Sequence, residues 1–275
     1  MPVEQISWVL PAAKEAYKHR REIQSAWSKI TIRLLGKKTR IAFTGMAGAG
    51  KTVLFDFLRG EGYKPDYTPP LASQKAEKGK VSAANRKRLS IVVVPGQESQ
   101  PRHEATDQVF SEAKFAVDGV VHVVSNGFIS LRGQYSEETV TSSGYRSPDL
   151  YIANQRKAEL EDLNATCELI RKSIRVHRKP RWLIVAVAKA DLYYDQIRNV
   201  SGYYSSDSDS PFVERLQQLV SQVGSDNFRW QAIPVCSWLE DFEWGSTRIP
   251  SVLKPNQRDH FLAAFAQLLE SYCER

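Results

Sequence analysis

The apolar residues of this chain recur in two patterns that take turns along its length. Short unbroken runs form the first: Ile41-Ala42-Phe43, the Ile91-Val92-Val93-Val94 run that closes 88–94, Gly119 to Val124, and Trp182 to Ala188. Runs of this length, bounded by Gly, Pro or charged residues, fit strands buried on both faces. Weaker strands are predicted over 80–82 and 232–235. Helical spacing fills the intervals. Val53, Leu54, Phe57 and Leu58 repeat after the first run, and Ile152, Leu160, Leu163, Cys167, Ile170 and Ile174 share one face of a helix predicted over 151–178. Further helices are predicted over 104–114, 212–223 and 257–272. Strands alternating with helices predict an α/β sandwich around a mostly parallel sheet.

Ahead of the first strand, Ala16, Ile23, Trp27, Ile30 and Leu34 form one helical stripe within 11–35, closed by Gly36. Charge sets this segment apart. Residues 1–40 hold nine Lys/Arg and three Glu, a balance of +6, which leaves +1 of the net +7 for the rest of the chain. That distribution argues against a nucleic-acid surface over the whole protein and predicts a basic amphipathic helix within 1–38, appended to one domain over 39–275. Such a helix can lie on an anionic membrane, dock a partner, or pack on the sheet domain as an extra helix. The Ser-, Gly- and Thr-rich stretch over 125–150 reads as an insertion or mobile loop, and YYSSDSDS at 203–210 as a polar mobile one.

With 42% hydrophobic and 25% charged residues, the chain is neither disordered nor fibrous. No apolar run approaches the roughly 18 residues of a membrane span, and the first residues do not read as a secretory signal, so a cytoplasmic location is expected. Cys167, Cys236 and Cys273 are few, odd in number and far apart, which predicts reduced thiols in or near the core.

The candidate chemistry starts at Gly45-Met46-Ala47-Gly48-Ala49-Gly50-Lys51-Thr52, which satisfies GxxxxGK[ST] between a strand and a helix. Backbone N–H groups of Gly48 to Thr52 can wrap phosphates at the helix N-terminus. Lys51 supplies a point charge, and the Thr52 hydroxyl can ligate Mg2+. Downstream, Pro95-Gly96-Gln97-Glu98 follows one apolar strand and Ala188-Lys189-Ala190-Asp191 another. A carboxylate after the second strand can accept hydrogen bonds from both N1–H and the exocyclic amine of guanine, a pair adenine lacks. Asp191 is therefore the candidate base reader, with the Lys189 stem along the ring.

In this order the motifs resemble those of the Ras-like and Arf-like small GTPases among the translation-factor-related P-loop proteins, in a divergent form, from about Arg40 to the C-terminus. The resemblance implies a P-loop GTPase-like three-layer sandwich, with a six-stranded mostly parallel sheet and helices on both faces. It places Gly45, Ala47, Gly48, Ala49, Gly50, Lys51, Thr52 and Val53 on the nucleotide, and has Gly96 donate its N–H to the γ-phosphate. Gln97 would orient the attacking water. Thr68, sixteen residues after Thr52, would be the switch threonine on Mg2+, and the Cys236-Ser237-Trp238 loop would bring Ser237 and Trp238 to the guanine. Three positions depart from the pattern. Val93 stands where the family has the Asp of DxxG, so that Asp66 or another acid would have to serve the metal. Ala188 replaces the Asn or Thr of [NT]KxD and removes a hydrogen bond tying the base loop to the phosphate loop. Ala47 adds a methyl beside the transition state. His122 reads as a core histidine and His103 as a solvated helix start.

The expected function is a GTP/GDP-binding switch acting on a protein effector or regulator, hydrolysing GTP slowly to GDP and phosphate with Mg2+, Lys51 and Gln97 carrying the chemistry. The alternative is a pseudo-GTPase module that binds partners without catalysis.

Overall fold

The computed structural model describes residues 40–70, 77–82, 88–94, 106, 110–113, 116–130, 144–244 and 246–274. The expected N-terminal helix, Gly96, Gln97 and His103 lie outside the described residues, as does most of the helix expected over 104–114.

Six strands form one sheet: β1 (Arg40–Thr44), β2 (Glu77–Ser82), β3 (Arg88–Val93), β4 (Gly119–Val124), β5 (Trp182–Val187) and β6 (Arg229–Pro234). Their order is β2-β3-β1-β4-β5-β6, with β2 antiparallel at one edge and the other five parallel. Every position of β4 and β5 is buried, which is why their sequences carry no polar alternation. The chain winds outward from β1 in both directions. In a sheet of this order, ligands characteristically bind at the carboxyl ends of the strands where the winding reverses, here the end of β1.

Among the described residues the α-helices that can be followed end to end are α1 (Lys51–Leu58), α2 (Pro148–His177), α3 (Ile197–Tyr204), α4 (Pro211–Val223) and α5 (Pro255–Glu274). Helix α2 packs on α4, and α1 on α5. The same Ser-Pro pair starts α2 and α4. The Ser147 and Ser210 hydroxyls accept from Leu150 N and Val213 N at 3.3 Å, with Pro in the first turn, where its missing N–H is harmless.

Three expectations change. Helix α2 begins at Pro148, inside the stretch expected to be loop, because Ser147 caps it. Residues 203–210 are anchored, not loose: Tyr204 is buried at the end of α3, and the Ser210 hydroxyl also donates to Tyr203 O at 2.5 Å. A hairpin, β7 (Phe242–Trp244) with β8 (Thr247–Ile249), was not expected at all. Its alternation is real, with Phe242 and Trp244 buried and Glu243 exposed, but three residues are too short to stand out as a strand pattern. Among the described residues no helix is long and apolar enough to cross a membrane.

Candidate functional site

Strand β1 ends at Thr44 and the glycine loop begins at once. Gly45, Gly48 and Gly50 all have positive φ, at 126°, 75° and 100°. At Gly45 the need for glycine is twofold, since a Cβ there would lie 2.1 Å from Val123 O of β4. The loop thus hugs the sheet end and turns into α1, whose first amides lack intrahelical acceptors and face outward for an anion. Lys51 is buried, and its ammonium donates to Gly45 O at 2.8 Å and Met46 O at 2.7 Å. Its charge is therefore held against the loop rather than waving in solvent. Ala49 is fully buried, Gly48 exposed, and Ala47, Thr52 and Val53 are half-buried.

The ends of β5 and β6 deliver the second group. Ala188 N continues the ladder to Val124 O at 2.7 Å and Ala190 N bonds Val235 O at 3.1 Å, so Lys189, at φ 59°, is turned out between them. Asp191 is only 1% exposed. The Cys236 thiol donates to its Oδ1 at 3.4 Å, and Val252 N donates to its backbone O at 3.3 Å. Burial raises the Asp191 carboxyl above its ordinary range, partly opposed by the thiol, and burial with the nearby carboxylate pushes Cys236 well up. The segment covering Asp191 is the one that carries the hairpin. Asp241 accepts from Ser251 N at 2.7 Å and pairs with Arg248, while Trp244 packs 4.9 Å from Tyr151 and Phe242 5.6 Å from Phe128. Ser237 is buried beside this cluster, and its hydroxyl has no hydrogen-bond partner among the described residues. A buried hydroxyl left this way is a place for a ligand or water.

Between the two groups lies the loop 125–130, which sequence reasoning took for part of an insertion. Its Phe128 carbonyl and Ser130 hydroxyl accept from the Lys189 ammonium, the latter at 2.7 Å. Its other side meets the glycine loop. A Cβ on Gly48 would lie 3.0 Å from the Ile129 Cγ2 and 3.2 Å from Ser130 N. Helix α2 holds the loop from beneath. The Glu159 carboxylate accepts from Ser125 N at 2.5 Å, the Ser125 hydroxyl at 3.0 Å and Gly127 N at 3.0 Å. Burial raises Glu159 from its ordinary 4.5 to about 7 against the pull of those donors. Glu159 lies seven residues after Ile152 and four before Leu163, so an acid on the apolar stripe was the signal that could have found it.

Thr68 is exposed at the end of a segment fixed by its aromatic neighbours. Tyr67 packs edge-on to Phe57 at 5.7 Å and Trp238 at 5.8 Å, and its hydroxyl donates to Asp56 at 3.0 Å. Trp238 thereby joins the 61–68 segment to the loop after β6. Carboxylates free to serve a magnesium ion are few among the described residues. Val93 is buried in β3, Asp56 is engaged by Arg59 and Tyr67, and Asp66 is exposed. Among the described residues no group of three or more His, Cys, Asp or Glu is placed to hold a metal. Among the described residues, Thr52 at the start of α1 offers a hydroxyl that would hold a magnesium ion, with phosphate oxygens and water to complete its shell.

His122 is fully buried in β4, and its Nδ1 lies 3.0 Å from the Thr44 hydroxyl, in keeping with a core histidine.

The sheet order, the antiparallel edge strand and the glycine loop at the end of β1 define an α/β P-loop sandwich of the GTPase-like type. No protein-family model matches the chain, and no curated protein matches it. Among solved structures, a dimerization-deficient mutant of Toc33 from Arabidopsis thaliana is 11% identical, over 93% of this chain and 92% of that one, at a TM-score of 0.42. The mammalian SRP receptor is 14% identical over 72% and 91%, at 0.38. An ADP-ribosylation-factor-like GTP-binding protein, the small COPII coat GTPase Sar1 from Encephalitozoon cuniculi in complex with GDP, is 14% identical over 94% and 92%, at 0.41.

Proposed function

We propose that this chain is a guanine-nucleotide-binding switch whose phosphates rest on Gly45 to Thr52 and whose base is read from the ends of β5 and β6. The observation that carries the reading is the seat of Lys51: its ammonium is bound to the carbonyls of Gly45 and Met46 at the N-terminus of α1. A cation is thus already in position where phosphate charge would arrive, and its side chain has little freedom left to lose on binding. Lys189, Asp191 and the buried Ser237 hydroxyl stand at the same end of the sheet, with one strand between β1 and β5 and two between β1 and β6. GTP hydrolysis assisted by Lys51 and Gln97, control of a protein effector or regulator, a cytoplasmic location and membrane contact through 1–38 belong to the same proposal.

Binding of fluorescent GDP, GTP and ATP by wild type and by Lys51→Ala and Asp191→Asn tests it. Guanine preference is expected, with a loss of about a hundredfold for Lys51→Ala and at least about tenfold for Asp191→Asn. Equal affinity for ATP, or an Asp191→Asn protein that folds and binds GTP unchanged, overturns the guanine reading. The second reading, a pseudo-GTPase that binds partners without turnover, is favoured by the apolar Val93 and by the covered Asp191 carboxylate. Single-turnover phosphate release that Gln97→Ala and Lys51→Ala abolish would dismiss it.

A further inference from the structure

We infer that Glu159, acting through the loop 125–130, is the positioning residue that couples the base loop to the phosphate loop. This rests on the nucleotide-binding reading above.

Three facts make the chain of contact continuous. Glu159 takes three hydrogen bonds from Ser125 and Gly127, and fixes the start of the loop. The Phe128 carbonyl and Ser130 hydroxyl of that loop hold Lys189. Ile129 and Ser130 lie beside Gly48, close enough that a methyl there would meet them at 3.0–3.2 Å and force one of them to give way. Helix α2 adds two more anchors to the same loop, Arg156 Nε to Asn126 O at 3.3 Å and the Tyr151 hydroxyl to Ile129 O at 3.2 Å. Glu159 itself is 2% exposed and its carboxylate oxygens are taken up by Ser125 and Gly127, so its role here is positioning. Its effect on binding has to pass through Ser130 and Lys189. An acid buried at a cost in desolvation, with every one of its bonds to a single loop, is placed to fix that loop's position.

A double-mutant cycle on GDP affinity tests the coupling, with Glu159→Gln, Lys189→Met and the pair. Each single change is expected to weaken GDP by about tenfold, and the pair to be within about twofold of Lys189→Met alone, because both act through one contact. Leu163→Ala, a core change one turn along α2, controls for general loss of stability. It is expected to lower the melting temperature and leave GDP affinity unchanged. Additive effects, or an equal loss of affinity in Leu163→Ala, overturn the inference. Hydrogen exchange in nucleotide-free protein separates it from the binding reading: Glu159→Gln is expected to speed exchange at Ala49 and Gly50 by about tenfold. That result with no guanine nucleotide bound by wild type would sink the function and keep the coupling. Unchanged exchange there would sink the coupling even if nucleotide binds.

Discussion

Glu159 offers a sharp test of the electrostatics of this fold. In the unfolded chain its carboxyl has its ordinary value of 4.5, and in the folded protein burial lifts it to about 7. Between those values the folded state binds the proton and the unfolded state does not. The stabilisation is therefore fully present below pH 4.5 and is lost as pH rises to 7, beyond which the loss is complete. At about 1.4 kcal/mol for each of the roughly 2.5 pH units between the two values, the loss is about 3 kcal/mol. Being fully enclosed, the group needs no reduction for solvent screening. Charged and titratable neighbours from other elements are Lys189, Tyr193, Tyr203 and Tyr204, with Arg156 on α2 itself. Urea melts at pH 5, 6, 7 and 8 should be compared for wild type and Glu159→Gln, which cannot ionise. Asp191, also raised, and Asp241 and Glu168, held low by Ser251 N–H and Arg171, titrate in both proteins and cancel. With an m value on the order of 3 kcal/mol/M, the gap between the two midpoints should change by about 1 M across this window. A gap that stays constant with pH refutes the argument.

Two further predictions follow from backbone and metal geometry. Gly45→Ala would drive a methyl into Val123 O at a φ of 126°, and should cost on the order of 3 kcal/mol or more. Gly202→Ala in α3 meets nothing within 4 Å and should stabilise by about 0.5–1 kcal/mol, so thermal melts of the two variants should move in opposite directions. With Val93 in place of a carboxylate, removing Mg2+ with EDTA should weaken GDP binding by less than about tenfold in a fluorescence titration, and a loss of several hundredfold would refute the argument from Val93.

What the sequence revealed depended on how local each feature is. Strands β1, β4 and β5 are legible because burial on both faces leaves an unbroken apolar run, and β3 through the apolar run Ile91 to Val94 at its end. The glycine loop is legible because three positive φ angles and a seated lysine demand fixed residue types at fixed spacing. Helix α3 escaped notice, having Gly202 inside it and no side-chain cap. The covering of Asp191 is not local at all. It arises where residues 236, 240 and 252 meet a residue more than forty positions earlier, and no periodicity records that meeting. Lys189 was read correctly as a residue at the end of a strand, but its partners, Phe128 and Ser130, lie some sixty residues away in a stretch expected to be a loop.

If Asp191 reads the base as proposed, its enclosure would slow nucleotide capture. If only a fraction of molecules at any moment have the hairpin segment lifted from that carboxylate, nucleotide capture is slowed by that fraction. The apparent dissociation constant is the intrinsic one divided by it, so roughly one molecule in a hundred open means about a hundredfold weaker apparent binding. The same closure, re-formed over a bound base, would slow its escape. Loading and release would then be timed by the 241–251 segment, far along the chain from the glycine loop that grips the phosphates.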